Sequence, residues 1–270
     1  MSPIKFYLKI ESFDYLRNIK NLIELSKLIG FLKINDEVCV LQSIFEQTYN
    51  GKDIWNILND TALERDQKSL IQEILFKNQK IQISDGDLYK ILIQFIVDSP
   101  TGIIGDKNSI SSRVGAKYIC DIEMYYELKQ LYLLKYNIRD ICKDIDNCFR
   151  NLIFDDDICK TKLDDFSYAD VREMMRILNI LDKQGRDIYI ACNYDPGESL
   201  RQLSSSTGTP CSGGAISDKK IKVHGIEKSV SCKGHFKIAR KDSNKRLYFS
   251  WGIKEYDYKI IICHIGGHLT

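Results

Sequence analysis

The chain lacks any run of about 18 consecutive apolar residues, so the sequence predicts no segment that spans a membrane. Its first residues, MSPIKFYLKIESFDYL, place charged or polar groups every few positions. They lack the uninterrupted apolar core and the small-residue cleavage site of a secretory signal. With 44% hydrophobic and 28% charged residues, the composition is that of a globular protein and excludes a disordered chain. We expect a cytoplasmic protein without a membrane partner.

The cysteines do not form the even, regularly spaced set of a disulfide framework. There are nine of them, at irregular intervals along the chain. An odd number in a chain without a secretory signal favours reduced thiols in a cytosol. Most lie among apolar residues, so we expect small buried side chains.

Histidine is scarce, and its four residues are confined to the last 47 positions: His224, His235, His264 and His268. Basic residues are concentrated in the same stretch. Residues 219–270 contain twelve Lys/Arg against four Asp/Glu, whereas the preceding 218 residues contain 27 against 33. Histidine is the side chain best suited to proton transfer near pH 7, and a basic surface attracts anionic polymers. Chemistry on such a polymer is therefore expected in the carboxy-terminal part.

Helical periodicity dominates the first 185 residues. Apolar residues recur at spacings of three and four from Phe13 to Ile29, and similar stripes follow Ser84 and Ser167.

The segment from Gly102 to Ser109 has glycines, a lysine and a serine. Its spacing does not fit a phosphate-binding loop, because two residues instead of four separate the glycines and Asp106 precedes the lysine. We interpret it as a polar surface loop.

Two changes in pattern predict the domain organisation. Residues 195–218 are rich in Ser, Gly, Pro and Thr and follow a predicted strand at 187–193, so this segment is expected to be a loop or linker. Beyond it, residues 220–226, 230–239, 245–251 and 258–265 alternate or run apolar with strand-forming residues. The predicted fold class is α+β: a mainly helical domain at 1–194, the linker at 195–218, and a small basic antiparallel β domain at 219–270.

The basic β domain carries the candidate site. Residues of equal parity on a strand share a face, so Arg246, Tyr248 and Ser250 are expected opposite Leu247, Phe249 and Trp251. A basic face with tyrosine suits RNA, because Arg and Lys bind phosphates while Tyr and His stack or transfer protons. The predicted RNA-binding lysines and arginine are Lys233, Lys237, Arg240, Lys241 and Lys245.

Residues 219–270 resemble the RelE/ParE superfamily of bacterial toxins. The similarity rests on the basic β-meander, on the strand with Arg246 and Tyr248, and on the ending His264-Ile-Gly-Gly-His268. The chain departs from the family at the Gly/Ser-rich segment before the sheet, where the family's toxin domains have two helices. Those helices would have to come from the amino-terminal half, which resembles no family known to us.

The resemblance implies an endoribonuclease of the mRNA-interferase kind, acting as a toxin or a phage-defence effector, with no cofactor. The ribose 2′-hydroxyl would attack the adjacent phosphate after a base removes its proton, while an acid protonates the leaving 5′-oxygen. His268 would be one of these groups and His235 or Tyr248 the other, with Arg246 and Lys237 stabilising the phosphate. His264 is a further candidate. An inhibitory or activating protein partner is expected as well.

Other interpretations stay open from the sequence. Cys232, His235, Cys263 and His268 have the residue types of a zinc site, which would make the segment a structural module. A cysteine nucleophile, Cys211 or Cys232, would need a distant histidine.

The chain is alternatively a non-catalytic nucleic-acid-binding module, or a partner-binding adaptor of a defence system. A binder would be insensitive to loss of His268 but sensitive to loss of Arg246, and an adaptor would bind little nucleic acid.

Overall fold

A computed structural model describes residues 1–96, 98–106, 114–135, 141, 144–158, 165–213, 218–238 and 244–269. The chain divides into two compact units, Met1–Lys135 and Tyr136–Thr270. The expected boundary at 195–218 therefore lies within the second unit. In the part of the chain that the structure describes, no helix is both long and apolar enough to cross a membrane.

The first unit is built on a five-stranded parallel sheet. Its strands are β1 (Lys5–Lys9), β2 (Glu37–Leu41), β3 (Gln79–Ile81), β4 (Thr101–Gly105) and β5 (Tyr118–Ile119). Their order across the sheet is β3-β2-β1-β4-β5, and every neighbouring pair is parallel. The connections after β1 run to one side of the sheet, and β4 and β5 lie on the other side of β1. The topology thus changes direction between β1 and β4.

Helices connect these strands or follow the last of them. They are α1 (Phe13–Arg17), α2 (Ile19–Leu32), α3 (Ser43–Glu46), α4 (Ile54–Leu58), α5 (Arg65–Phe76), α6 (Asp85–Ile93) and α7 (Ile122–Leu133). Side chains cap several of their first turns, as when Asn18 accepts from the backbone of Lys20 and Ser84 from that of Asp87. The apolar stripes predicted after Phe13 and Ser84 are helices, as expected.

The first unit corrects the expectation of a mainly helical domain. Helices and sheets both occur, so the coarse α+β description holds, but a parallel sheet forms the centre of this unit. Strands such as Phe6–Leu8 and Ile103–Ile104 are buried on both faces, and such strands show continuous apolar runs rather than alternation. The segment at Gly102, expected to be a surface loop, is part of strand β4 as far as Gly105.

The second unit contains a mixed sheet and a hairpin. The sheet has the order β6-β12-β11-β10-β7, with β6 (Leu152–Phe154), β7 (Cys211–Gly213), β10 (Gly234–Lys237), β11 (Arg246–Ser250) and β12 (Ile260–Gly266). The hairpin pairs β8 (Asp218–Val223) with β9 (Ile226–Ser231). The strands expected at 245–251 and 258–265 are present as β11 and β12. The strand expected at 220–226 contains the turn between β8 and β9, and the strand expected at 230–239 contains the end of β9 and all of β10. The expected single antiparallel sheet is wrong, because β8 and β9 pair separately and β6 pairs with β12 in parallel.

Helices precede the last strands of this unit. Helix α8 (Tyr168–Ile180) continues through a π-turn at Leu181–Gly185 into α9 (Arg186–Ala191), and α10 (Pro196–Thr207) follows. Two expectations fail here: residues 187–193 are mostly helical instead of a strand, and half of the expected Gly/Ser linker is α10. Asp195 explains the start of α10, because its side chain caps Glu198 and Pro196 occupies the first turn.

Two aspartates and a disulfide fix the hairpin to the mixed sheet. The Asp156 carboxylate accepts from the backbone of His224 and Gly225 at the hairpin turn. Asp155 accepts from the backbone of Lys222 and pairs with the Lys219 ammonium. Cys232 and Cys263 are joined in a disulfide inside a small apolar cluster. The expectation of reduced thiols is therefore wrong for this pair, although Cys39, Cys120, Cys192 and Cys211 are free thiols.

Candidate functional site

Three aromatic side chains line up across the centre of the mixed sheet. His235 on β10 lies opposite Tyr248 on β11, and Tyr248 lies opposite His264 on β12. Residues directly opposite each other project from the same face, so the three rings form one row. The ring centroids are 5.2 Å apart for His235 and Tyr248 and 5.9 Å apart for Tyr248 and His264.

The end of the chain adds a third imidazole, that of His268, beside Tyr248. We call His235, Tyr248, His264 and His268 the imidazole row. After Gly266, the chain bends back so that the backbone N–H of Leu269 donates to the Tyr248 hydroxyl at 3.2 Å. His268 then lies edge-on to the Tyr248 ring, with 6.3 Å between centroids. Gly266 ends the strand in extended backbone with a φ of 158°, and the bend follows it. Tyr248 is thus surrounded by three imidazoles.

His235 has the environment of a neutral imidazole. Burial lowers its pKa from 6.5, and the positive charges of Arg246, His268 and Lys237 lower it further. Its Nδ1 is buried and has no hydrogen-bond partner among the described residues. At pH 7 this ring is therefore deprotonated and able to accept a proton.

His264 is also held neutral. Burial lowers its pKa from 6.5, although a hydrogen bond to the Gly267 carbonyl opposes the shift. Nε2 lies 3.1 Å from that carbonyl oxygen. Because a carbonyl only accepts, Nε2 carries the proton and Nδ1 is the free acceptor nitrogen. The same bond fixes the bend that carries His268.

The expected exposed basic face is wrong in one respect. Arg246, Tyr248 and Ser250 are all buried, with Tyr248 only 1% exposed. The reason is that β11 is a central strand and the returning chain end covers Tyr248. Arg246 donates to the Lys245 carbonyl and acts on His235 through its charge. His268, in contrast, is exposed, and His235 and His264 are half-buried.

The predicted RNA-binding side chains divide into three groups. Lys233 and Lys237 are exposed, and Lys237 pairs in register with Arg246 beside the imidazole row. Lys245 instead bonds to the Asp170 carboxylate at 2.6 Å and lies 4.9 Å from the centre of the Phe166 ring. Arg240 and Lys241 lie outside the described residues.

The structure does not provide the cysteines that a zinc site or a cysteine nucleophile would need. The Cys232–Cys263 disulfide leaves neither sulfur to bind zinc, so the set with His235 and His268 is not formed. Within the described residues, no group of three or more His, Cys, Asp or Glu is placed to hold a metal. Burial raises the pKa of the Cys211 thiol to about 12, which keeps it protonated and poorly nucleophilic.

The first unit also contains a group of polar residues that the sequence did not predict to lie together. They lie at the carboxyl ends of β1 and β4, where open parallel sheets commonly bind ligands. The Asp106 carboxylate accepts from the backbone of Glu11 and Ser12, and the buried Lys9 ammonium pairs with Glu11 and Asp85. The signal in the sequence was an acidic residue soon after each of two short apolar runs. Among the described residues, these groups bond to one another.

Comparison with known proteins identifies no relative. No protein-family profile, no curated protein and no solved structure matches the chain. The resemblance to RelE/ParE toxins therefore stays a prediction, and the candidate function rests on the imidazole row itself.

Proposed function

We propose that the carboxy-terminal unit binds RNA and cleaves it by a metal-independent acid–base reaction. The observation that carries this proposal is the placement of His235, His264 and His268 around Tyr248. Cleavage through the 2′-hydroxyl needs a base and an acid within reach of one phosphodiester. The row offers a neutral imidazole and an exposed one that are close enough to influence each other's charge.

The environments of the rings suggest their roles. His235, whose lowered pKa keeps it neutral, is the base that takes the 2′-hydroxyl proton. His268, exposed on the returning chain end, is the acid that protonates the leaving 5′-oxygen. Arg246 is too buried to touch the phosphate and stabilises its added negative charge through the electric field, whereas Lys237 is exposed and can contact it. Tyr248 and His264 are positioning residues, because their bonds hold the chain end.

The biological setting rests on the resemblance alone. A toxin or phage-defence effector in the cytoplasm, controlled by a protein partner, is consistent with an RNA-cleaving unit. Disulfides persist mainly in oxidising compartments. The Cys232–Cys263 disulfide therefore weakens the expectation of a cytoplasmic location, which rested in part on reduced cysteines.

The test is incubation of the full chain with end-labelled single-stranded RNA in EDTA. We expect cleavage by the natural chain and a loss of about 10²–10⁴-fold in rate for His235→Ala and for His268→Ala, with RNA affinity retained. Deletion of residues 267–270 is expected to abolish cleavage. His224→Ala is the matched control, because His224 lies at the turn of the β8–β9 hairpin, outside the row.

The other outcomes identify the alternatives. Binding without cleavage, with affinity reduced by Lys237→Met and steeply dependent on salt, would make the unit a non-catalytic nucleic-acid-binding module. A chain that neither binds nor cleaves RNA would overturn the proposed function and leave the partner-binding adaptor as the remaining alternative. Equal cleavage by the natural chain and His268→Ala would remove the assignment of the acid.

A further inference from the structure

A second cluster of aromatic rings lies in the same unit. Tyr194 and Tyr258 stack on each other at 4.5 Å between centroids and 30° between planes. Behind them, Tyr189 stacks on Trp251 at 5.0 Å and 13°. Tyr189 also meets Tyr194 edge-on at 5.5 Å, so the four rings form one continuous group. We call the Tyr194–Tyr258 pair the tyrosine platform.

The platform is open to solvent. The Tyr194 residue is 43% exposed, and Tyr258 and Tyr189 are half-buried. An exposed tyrosine offers a flat apolar face together with a hydroxyl, a combination that planar polar ligands recognise. The tyrosine platform therefore provides a stacking surface that the fold has not covered.

The backbone that presents these rings is strained. Asn193 and Tyr194 have φ values of 51° and 63°, and Asp257 and Tyr258 have 52° and 57°. Left-handed backbone is uncommon for residues other than glycine, and at bulky residues it is maintained only where surrounding structure enforces it. Each pair of adjacent left-handed residues ends in a tyrosine of the platform. The placement of both rings is therefore maintained despite an unfavourable backbone conformation.

Specific contacts enforce this backbone. Arg186 donates to both the carbonyl and the carboxylate of Asp257. The N–H of Tyr194 donates to the carbonyl of Tyr189, and that of Tyr258 to the carbonyl of Ile253. Gly252 allows the chain to double back, because a Cβ there would lie 2.2 Å from the Lys259 carbonyl oxygen.

An unsatisfied donor lies within the same aromatic group. Trp251 is only 7% exposed, and its buried Nε1–H has no acceptor among the described residues. A buried donor without a partner is the kind of group that an ordered water or a bound ligand satisfies. Desolvation and a hydrogen bond with Tyr258 raise the pKa of the Tyr194 hydroxyl. The positive charges of Arg186 and Lys254 are near enough to this hydroxyl to oppose that shift.

We propose that the tyrosine platform binds an unpaired base of single-stranded RNA, away from the imidazole row. Stacking on aromatic side chains is how proteins hold unpaired bases, and it tolerates any sequence because every base has a flat face. One stack alone corresponds to a Kd weaker than about 1 mM, so a free nucleotide would not be retained. The ligand is therefore a base of a polymer whose other parts bind elsewhere, and this inference rests on the proposed function.

The two sites lie on different sides of the sheet. Phe249 follows Tyr248 on β11 and so points to the opposite face, and Trp251 contacts Phe249 edge-on at 5.3 Å. An RNA strand that reaches both the tyrosine platform and the imidazole row must pass around the sheet. A single strand is flexible enough to do so, whereas a duplex keeps its bases paired and unavailable.

The test uses a 2′-O-methyl single-stranded oligonucleotide, which lacks the attacking hydroxyl and is not cleaved. Tyr194→Asn removes the ring while asparagine accepts the left-handed backbone, and Tyr194→Phe keeps the ring. We expect Tyr194→Asn to weaken binding about tenfold. Tyr194→Phe and the control Tyr168→Asn, at a tyrosine 64% exposed on α8, are expected to bind like the natural chain.

A fluorescence signal localises the event. The chain has two tryptophans, so Trp55→Phe leaves Trp251 as the sole reporter, in contact with Tyr189. We expect its emission to change on addition of the single strand and to stay constant with the corresponding duplex.

The outcomes separate the two proposals. Unchanged affinity in Tyr194→Asn would overturn the platform even if His268→Ala abolishes cleavage. A tenfold loss in Tyr194→Asn, alongside full cleavage by His235→Ala and His268→Ala, would support the platform and overturn the proposed mechanism. Failure of the natural chain to bind the oligonucleotide at all would overturn the platform directly.

Discussion

Cys232 and Cys263 are bonded to each other, which joins β12 to the residues just before β10. Cys263 directly precedes His264 on β12, and Cys232 lies three residues before His235 on β10. The bond therefore restrains both flanking strands relative to each other. It also closes the apolar cluster between the hairpin and the sheet, where both sulfurs are fully buried.

The disulfide should contribute measurably to folding. Its cysteines are 31 positions apart, and closing a loop of that length lowers the entropy of the unfolded chain by an amount worth about 3.5 kcal/mol. We expect Cys232→Ala/Cys263→Ala to lower the free energy of unfolding by roughly 2–4 kcal/mol in urea titrations. A reducing agent should destabilise the natural chain but not the double variant. Equal stability of both proteins with and without reductant would contradict the prediction.

Acid should destabilise the second unit through its histidines. The folded pKa values of His235 and His264 both lie below 6.5, because burial penalises the charged rings. Below about pH 6.5 the unfolded chain binds more protons than the folded one, so stability present at pH 7 is lost as the pH falls. We expect His264→Gln to reduce the slope of unfolding free energy against pH between 7 and 5. An unchanged slope would show that His264 is protonated equally in both states.

Strand periodicity in the sequence predicted much of the second sheet, and the absence of such periodicity hid the first. Alternation is visible in the sequence of Arg246–Ser250, whereas Lys5–Lys9 and Thr101–Gly105 show none, because nearly all of their residues are buried, as is usual in a parallel sheet. The strands of the first unit therefore look like parts of neighbouring helices in the sequence.

The candidate site was predictable in its residues but not in its exposure. The alternation of side chains along a strand predicted that Arg246 and Tyr248 share one face. The strand pairing adds His235 and His264 to that face, because both lie directly opposite Tyr248. No local pattern showed that the chain end returns over Tyr248, since that bend is held by a bond to a hydroxyl 21 positions away. Nor could spacing alone show that Cys232 and Cys263 meet, because they are 31 positions apart.

Two lysines that look equivalent in the sequence should behave differently. Lys237 is exposed beside the imidazole row, so Lys237→Met should weaken RNA binding and reduce the slope of log affinity against log salt by about one. Lys245 bonds to Asp170, where bonds from Lys245 and Ser167 outweigh burial and lower the pKa of the carboxyl. Lys245→Met should destabilise folding by about 1–3 kcal/mol, with the salt slope unchanged. Reversed effects in filter-binding and urea titrations would contradict these roles.

Tyr248 should position the returning chain end without taking part in proton transfer. Its hydroxyl accepts from the Leu269 backbone, and its ring contacts His268, yet the residue is 1% exposed and cannot reach a substrate. Tyr248→Phe keeps the ring but removes the acceptor, so His268 should be held less firmly. We expect kcat to fall about tenfold, the cost of about 1.4 kcal/mol in the barrier, with KM nearly unchanged.

The pH profile distinguishes positioning from catalysis in this variant. If Tyr248 only positions His268, the acid limb of kcat/KM, set by His235, should stay below pH 6.5 in both proteins. Tyr168→Phe, which changes an exposed tyrosine of the same unit, is the matched control and should leave kcat unaltered. A fall of 10³-fold or more in Tyr248→Phe, or a shifted basic limb, would instead make the phenol a proton donor. Since the hydroxyl is covered by the chain end, that result would require the end to open before RNA is cleaved.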